Sequence, residues 1–368
     1  MAGHEGCGIF VFMPILEHVL NARDFLEAAK DGVVLDVRSP KEFEEGHIPG
    51  AVSFPLFTDE EREVVGTTYK RIGKSEAIDA GLSFVGPKLQ SLATRARALF
   101  EAQTEPKPLL IYCWRGGMRS GSVDWLLRTA QIPSMRCEGG YKACRAVYNE
   151  VLEAPRPYVV VGGMTGSAKT EVLHALREAG EGVLDLEGLA RHYGSAFGNL
   201  EEHAQPSTAH FSNLLAASLM DLDAKQGDGP IWVENESRQI GKVHIPETFH
   251  KRQRSAPVLE IERTEDDRVN HLLSMYGGAS VEALVEAFER IRTKLGGQHA
   301  NEAIARVQEG DLASAARIAL VYYDKTYRHG LDQRETKPVD GRRCKPDVIA
   351  QRCMDVHNEW NPWNLKSN

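Results

Sequence analysis

An apolar run, Tyr158-Val159-Val160-Val161, passes straight into Gly162-Gly163-Met164-Thr165-Gly166-Ser167-Ala168-Lys169-Thr170 and on into a helical pattern. Few features restrict a fold so strongly. Backbone N–H groups of such a turn converge on an anion, and the helix that follows adds partial positive charge at the same place. Gly163–Thr170 follows G-x4-G-K-[ST] except at Ala168, where a glycine is usual. Gly163, Thr165, Gly166, Ser167, Ala168, Lys169 and Thr170 are therefore the expected phosphate-binding residues. Lys169 would reach a terminal phosphate, and the Thr170 hydroxyl would be free for Mg²⁺. Ala168 is tolerable there if its backbone is helical.

The surroundings agree with this motif. Val172, Leu173, Leu176 and Ala179 give the helix Lys169–Ala179 an apolar face, and Gly180 suits its end. Further strands are expected at Gly182–Leu186, Pro230–Val233 and Pro257–Ile261. From Val281 to Tyr327 the pattern is helical, with Val281, Leu284, Val285, Phe288, Ile291 and Leu295 on one face. The strand Ile231-Trp232-Val233 ends in Glu234-Asn235-Glu236-Ser237, where a Walker B acid would stand. Glu234, Glu236 and Asp185 are the candidate acidic partners of the phosphate loop, with Glu187 competing for the role. A glutamate at the first acidic position favours diphosphate binding over ATP hydrolysis.

The first half also alternates strands and helices. Gly32–Val37 and Pro108–Tyr112 read as buried strands, and Val123, Leu126, Leu127 and Ala130 as one helical face. Ala154-Pro155-Arg156-Pro157 interrupts the pattern as a linker. A chain of 368 residues exceeds one comfortable core. The expected architecture is α/β: a parallel-sheet domain over 1–150 (core about 14–135), then a phosphate-loop domain over 151–368, helical in its C-terminal part from about 281.

A second chemical loop lies at Tyr112-Cys113-Trp114-Arg115-Gly116-Gly117-Met118-Arg119-Ser120. A cysteine leaves a buried strand and enters a glycine-bearing loop that opens a helix. Gly116, Gly117 and Met118 would form an anion-binding nest, with Arg115 and Arg119 adding full charges. All of these favour thiolate over thiol, so the Cys113 pKa should fall below the free value of about 8.5. Cys113, Arg115 and Arg119 are the candidate catalytic residues. Persulfide-carrying sulfurtransferases and C-x5-R phosphatases both use such a loop, so it leaves the two open. Upstream, Leu35–Pro40, Glu42-Phe43 and Gly46–Ala51 resemble the rhodanese signature. The loop is one residue longer than the usual rhodanese C-x4-R, which implies a roomier anion pocket. Asp36 and Arg38 are expected to pair structurally, and His47 to be a structural turn residue.

A net charge of −8 leaves no global basic field, so nucleic acid would need a local patch. Arg238, Lys242, Lys251, Arg252 and Arg254 supply one, with Glu247 as the only acid among them. Arg263 and Arg268 are candidates for a phosphate clamp. No apolar run reaches the ~18 residues of a membrane helix, and the first residues carry no secretory pattern. The leader Met1–Gly8 reads as unstructured. Six cysteines without CxxC or Cys/His zinc spacing suggest a reducing cytoplasm, with no metal site and no disulfide framework.

Taken together, Tyr112–Ser122, Gly162–Thr170, Asp185–His192 with Gly194–Gly198, Trp232–Arg238 with Ile240-Gly241, and Phe54–Arg62 with Val65–Thr67 resemble the tRNA 2-selenouridine synthase family. The likeness runs over roughly residues 14–360. It implies action on tRNA whose wobble uridine carries a 2-thio group. The sulfur is first alkylated by geranyl diphosphate, and selenophosphate then supplies selenium as the geranylthio group leaves. It implies no tightly bound cofactor, no membrane, and a selenophosphate-producing enzyme as a transient partner. The alternatives left by the residues are a phosphate-loop NTPase or kinase with a regulatory rhodanese module, a rhodanese-fold cysteine phosphatase, and a non-enzymatic tRNA-binding protein.

Overall fold

The computed structural model describes residues 18–192, 204–227, 229–331 and 334–360. Met1–Gly8, Cys7 and Gly194–Gly198 lie outside these residues. The chain divides into two compact units between Val147 and Tyr148.

In the first unit β1 (Val19–Leu20), β2 (Val34–Asp36), β3 (Val52–Ser53), β4 (Leu109–Tyr112) and β5 (Ser134–Cys137) form one sheet, in the order β1-β5-β4-β2-β3. All its pairings are parallel. β4 is central and buried along its length, which explains its unbroken apolar run. Helices α1 (Ala22–Ala28) and α2 (Pro40–Glu45) flank β2, and α3 (Asp59–Arg71), α4 (Lys74–Val85) and α5 (Leu89–Glu101) lie between β3 and β4. α6 (Met118–Thr129) buries Val123, Leu126 and Leu127, the face expected from its spacing. α7 (Gly140–Glu153) carries the chain across the division and stops before Pro155. Leu35, Val37, Phe54, Ile111, Val123 and Leu127 meet in one core. Burial of each such side chain contributes about 1.5–3 kcal/mol. That core holds the ends of β2 and β4 side by side, where Asp36 and Cys113 emerge.

The second unit contains β6 (Tyr158–Gly162), β7 (Gly182–Leu184), β8 (Ile231–Glu234), β11 (Val258–Glu262) and β12 (Thr336–Asp340), with a small β9 (Gln239–Ile240), β10 (Val243–His244) hairpin between. The main sheet is parallel, in the order β12-β11-β6-β8-β7. β6 sits in the middle, with the chain passing first to one side and then to the other. Loops at such a switch point diverge and leave a crevice for ligands. α8 (Lys169–Glu178) follows β6 and packs Val172, Leu173 and Leu176 on the sheet. α9 (Leu186–Ala190), α10 (Thr208–Gln226), α11 (Glu247–Ser255) and α12 (Glu265–Tyr276) connect the remaining strands.

The stretch read as helical from Val281 folds as three helices, α13 (Val281–Leu295), α14 (Gly297–Gln308) and α15 (Leu312–Leu331). Leu284, Phe288, Ile291 and Leu295 enter their shared core, while Val281 remains exposed. The chain then returns to the sheet as β12 and closes with α16 (Pro346–Trp360). β12 has a single buried position, Val339, so its sequence carries no apolar run to announce it.

Candidate functional site

Cys113 emerges from β4 and is 3% exposed. Its Sγ lies 3.3 Å from Ser120 Oγ on the first turn of α6. Burial pushes its pKa up, but the Ser120 hydroxyl, the Ser120 and Arg115 N–H groups and the Arg119 charge outweigh it, and the thiol is held below its ordinary value. Arg115 thus acts through its backbone. Arg119 is bound by Glu42, donating to Oε2 at 2.5 Å and to Oε1 at 3.2 Å. The C-x5-R spacing therefore does not deliver the uncompensated guanidinium expected in the loop. Gly116 is a forced choice: its φ is +66°, and a Cβ would stand 2.6 Å from the Cys137 carbonyl oxygen.

Behind the loop, Arg38 is 1% exposed. It donates to both Asp36 oxygens at 2.6–3.0 Å and to the Gly46 carbonyl at 2.7 Å. Its guanidinium sits 4.1 Å from the Tyr141 ring centroid. The Tyr112 hydroxyl donates to Asp36 at 2.6 Å. His47 stacks on Phe43 at 3.7 Å, with Nδ1 at 2.9 Å from the Phe43 carbonyl. These groups build the floor of the loop.

In the second unit Lys169 Nζ donates to the Gly163 carbonyl at 2.9 Å. Ala168 has φ 62° and ψ 36°, a left-handed conformation. The condition on which alanine was tolerable, a helical backbone, is therefore not met: the residue keeps the shape that glycine would supply, at a cost of roughly 1–2 kcal/mol. Ser167 is buried and its hydroxyl has no partner among the described residues. Gly166 has φ +82°, and a Cβ would meet the Arg268 carbonyl oxygen at 2.8 Å. Arg268 is no free clamp: it is 5% exposed and ion-paired with Asp324 of α15. It also donates to the Thr165 carbonyl at 2.8 Å. Arg263 donates to the Cys344 carbonyl at 3.3 Å. The Gly163 N–H donates to the Tyr327 hydroxyl at 2.6 Å, so α15 fastens the loop at two points.

Glu187, rather than Asp185, faces the phosphate loop. Asp185 caps α9 through the Gly188 N–H and lies 3.2 Å from His174 Nε2. Thr170 Oγ1, expected to be free for Mg²⁺, instead donates to Glu187 Oε2 at 2.9 Å. Burial, then the charge of Glu236, push the Glu187 pKa up to about 8 against the pull of Lys169. Burial also raises Glu236, while the Lys169 charge and a hydrogen bond from Glu187 oppose it. Glu234 is fully buried, accepts from the Leu186 N–H at 2.9 Å, and is strongly raised by burial and by Asp185 and Glu187. It is a structural anchor between β8 and α9.

Nothing in the local sequence signals what adjoins this loop. A cavity of about 190 Å³ opens at Lys169, Thr170, Glu187, Glu236 and His271 and continues between α12, α13, α14 and α15. Its far end is apolar, lined by Tyr276, Leu284, Phe288, Ala316, Leu320 and Tyr323. His271 sits at the junction, 3.4 Å from Glu171.

The basic segment falls on the β9–β10 hairpin and α11. Glu247 takes Lys251 at 2.8 Å and Arg238 at 3.7 Å. Arg252 donates to the Glu153 carbonyl. Lys242 is exposed, and its backbone N–H donates to Gln205 at 2.7 Å. Arg254 acts on Arg334, a cation from outside the expected basic cluster. Arg334 bonds neutral acceptors, Asn235 Oδ1 at 2.5 Å and the carbonyls of Gln253 and Ala256 at 2.7 and 3.2 Å. Burial, then Arg254, lower its pKa to about 10.

The fold and these two loops define a rhodanese-like domain joined to a phosphate-loop domain. A rhodanese-like family model matches residues 21–149, and the model of the tRNA 2-selenouridine synthase AAA domain matches 156–351. The tRNA 2-selenouridine synthase of Shewanella pealeana is 33% identical over 339 residues, covering 83% of this chain and 90% of that one. The chain belongs to the tRNA 2-selenouridine synthase family. Among solved structures, the N-terminal domain of a Clostridium difficile 630 protein described as ATP/GTP binding is 40% identical. It covers 35% of this chain and 96% of that one, with a TM-score of 0.33. A gluconokinase of Sinorhizobium meliloti 1021 is 13% identical and covers 58% of this chain and all of that one, with a TM-score of 0.30.

Proposed function

We propose that this chain is an enzyme that replaces the 2-thio sulfur of a tRNA uridine with selenium, by S-geranylation from geranyl diphosphate followed by selenation from selenophosphate. The observation that carries the reading is the cavity: a phosphate cradle at Lys169 opens directly into an apolar pouch at Phe288 and Leu320. A prenyl diphosphate would use both ends, its anion in the cradle and its chain in the pouch.

The residues divide the work by chemistry. The N–H groups of Gly166–Thr170 and the Lys169 ammonium would take the diphosphate, and the pouch would bury the prenyl chain. Charge builds on the departing diphosphate as its bond to the allylic carbon breaks, so donors fixed there stabilise the transition state. The thiocarbonyl sulfur supplies the electron pair for the new carbon–sulfur bond. S-alkylation turns that sulfur into a better leaving group. The nest of Gly116, Gly117 and Met118 would hold selenophosphate beside the Cys113 thiolate for the second step. Arg254 and Arg334, with Arg238, Lys242, Lys251 and Arg252, would meet RNA phosphates.

The test is mass spectrometry of nucleosides from 2-thiouridine tRNA incubated with the protein, geranyl diphosphate and selenophosphate. Geranylated thiouridine with the first donor alone, and selenouridine with both, is the expected result. Unaltered nucleosides would leave an RNA-binding protein instead. A Lys169-dependent release of phosphate from ATP, stimulated by RNA, would favour an NTPase.

A further inference from the structure

The residue after Cys113 is the one aromatic side chain that the loop shows to solvent, beside Arg115 and Met118. Trp114 is 40% exposed, although tryptophan is highly buried on average. It is also held firmly. Its carbonyl accepts from the Lys142 N–H at 3.0 Å, and the Cys113 carbonyl accepts from the Tyr141 N–H at 2.8 Å. The indole is backed by the Tyr141 ring at 5.7 Å and by the Arg38 guanidinium at 5.8 Å. Beside it Arg115 is exposed, with no ion pair among the described residues.

We propose that Trp114 is a stacking platform for the unpaired nucleobase that reacts at the Cys113 loop, with Arg115 taking a flanking backbone phosphate. The inference rests on the tRNA reading above and adds the subsite that presents the base. A flat π-face held from behind loses little entropy when a base stacks on it. Trp114 directly follows Cys113 in the chain, so a base on its indole is held at the same loop as the thiolate. An unpaired anticodon base offers its face; a duplex does not.

The experiment titrates a 2-thiouridine anticodon stem-loop, and the same RNA made abasic at that nucleotide, against wild type, Trp114→Ala, Trp114→Phe and Trp125→Ala. Trp125 lies two turns along α6, is 61% exposed, and serves as the control for a lost surface indole. Trp114→Ala should weaken the intact stem-loop by roughly 5- to 100-fold, and Trp114→Phe should retain most of the affinity. The abasic RNA should bind wild type and Trp114→Ala equally, and Trp125→Ala should match wild type. Unchanged affinity in Trp114→Ala, or an equal loss for the abasic RNA or in Trp125→Ala, overturns the stacking subsite alone. Failure of wild type to bind either RNA overturns the tRNA reading and the subsite with it.

Discussion

Thr170 of the phosphate loop donates its hydroxyl to Glu187 at 2.9 Å, and that bond ties the cradle to a carboxyl whose pKa is pushed up to about 8. Burial and Glu236 raise it; Lys169 and Thr170 oppose. The native state therefore holds a proton that the unfolded chain releases near the ordinary carboxylate value. Wherever the unfolded state binds fewer protons, stability falls as pH rises. Glu187 should cost stability progressively from about pH 4.5 to about pH 8.

Glu187→Gln keeps a neutral group at the same place, so it should flatten that slope and raise the melting temperature most near pH 8. Inorganic diphosphate gives a second readout. Ionised Glu187 repels an anion in the cradle, so the affinity ratio of Glu187→Gln to wild type should grow as pH passes from 6.5 to 9. A constant ratio would show that Glu187 does not titrate between pH 6.5 and 9.

Ala168 gives a backbone test. Its left-handed conformation costs an alanine roughly 1–2 kcal/mol. Glycine avoids this but loses about 0.5–1 kcal/mol of chain entropy. Ala168→Gly should therefore stabilise the second unit by a few tenths to about 1 kcal/mol, read as a higher urea midpoint at constant slope. A lower midpoint would mean that the methyl, 3% exposed, contributes more through packing than it costs in strain.

The ion pair between Arg119 and Glu42 tunes one of the influences on Cys113, the smallest after burial, Ser120 and the Arg115 N–H. Arg119→Met removes a group that lowers the thiol pKa and should slow alkylation of Cys113 by iodoacetamide at pH 7. A rise of one in that pKa slows the reaction by up to about tenfold. Glu42→Gln leaves Arg119 uncompensated and should speed it. Cys353, raised by burial to about 12, should stay unlabelled until the protein unfolds. Peptide mapping after timed quenching separates the sites; equal rates in all three proteins would assign the activation to the Ser120 hydroxyl and the backbone N–H groups.

Strands β2, β4, β6, β7, β8 and β11 and both loops were legible in the sequence because each rests on local order, whereas β1, β3 and β5 are two to four residues long and carry no apolar run. Val159–Val161 and Leu109–Tyr112 are unbroken apolar runs, and Gly116 and Gly166 mark turns that only glycine makes comfortably. What escaped depends on partners far along the chain. β12 is a polar-looking strand that the sheet recruits through Val339. The pouch needs α12–α15 to meet, and no stretch of sequence encodes a cavity. Arg268 looked like a clamp because its partner Asp324 is 56 residues away. Arg334 lay outside the basic cluster and meets it through bonds to Asn235, Gln253 and Ala256.

Arg334 can be separated from the other cations by salt dependence. If it meets an RNA phosphate, Arg334→Gln should flatten the log–log slope of tRNA affinity against salt by roughly 0.7–0.9. Lys251→Ala with Arg252→Ala should flatten it by the same amount for each phosphate no longer neutralised. The Glu247–Lys251 bond is no obstacle, since an exposed i,i+4 ion pair is weak and screened by salt. Unchanged slopes would return these residues to solvent.

The two loops should serve successive steps. Lys169 stands at the mouth of the apolar pouch, and Cys113 lies in a nest that favours its thiolate. Removing one donor from developing charge typically costs about 10²–10³ in rate. Lys169→Ala should therefore block geranylation of 2-thiouridine tRNA yet still selenate tRNA supplied already geranylated. Cys113→Ala should do the reverse and accumulate the geranylated species. Filling the pouch gives an independent arm: Ala316→Phe should raise the KM for geranyl diphosphate more than that for a five-carbon prenyl diphosphate, because only the longer chain reaches it. Nucleoside mass spectrometry of each variant on both RNAs distinguishes these outcomes. Normal geranylation by Lys169→Ala, or arrest of both variants at the same step, would mean that one loop performs both reactions.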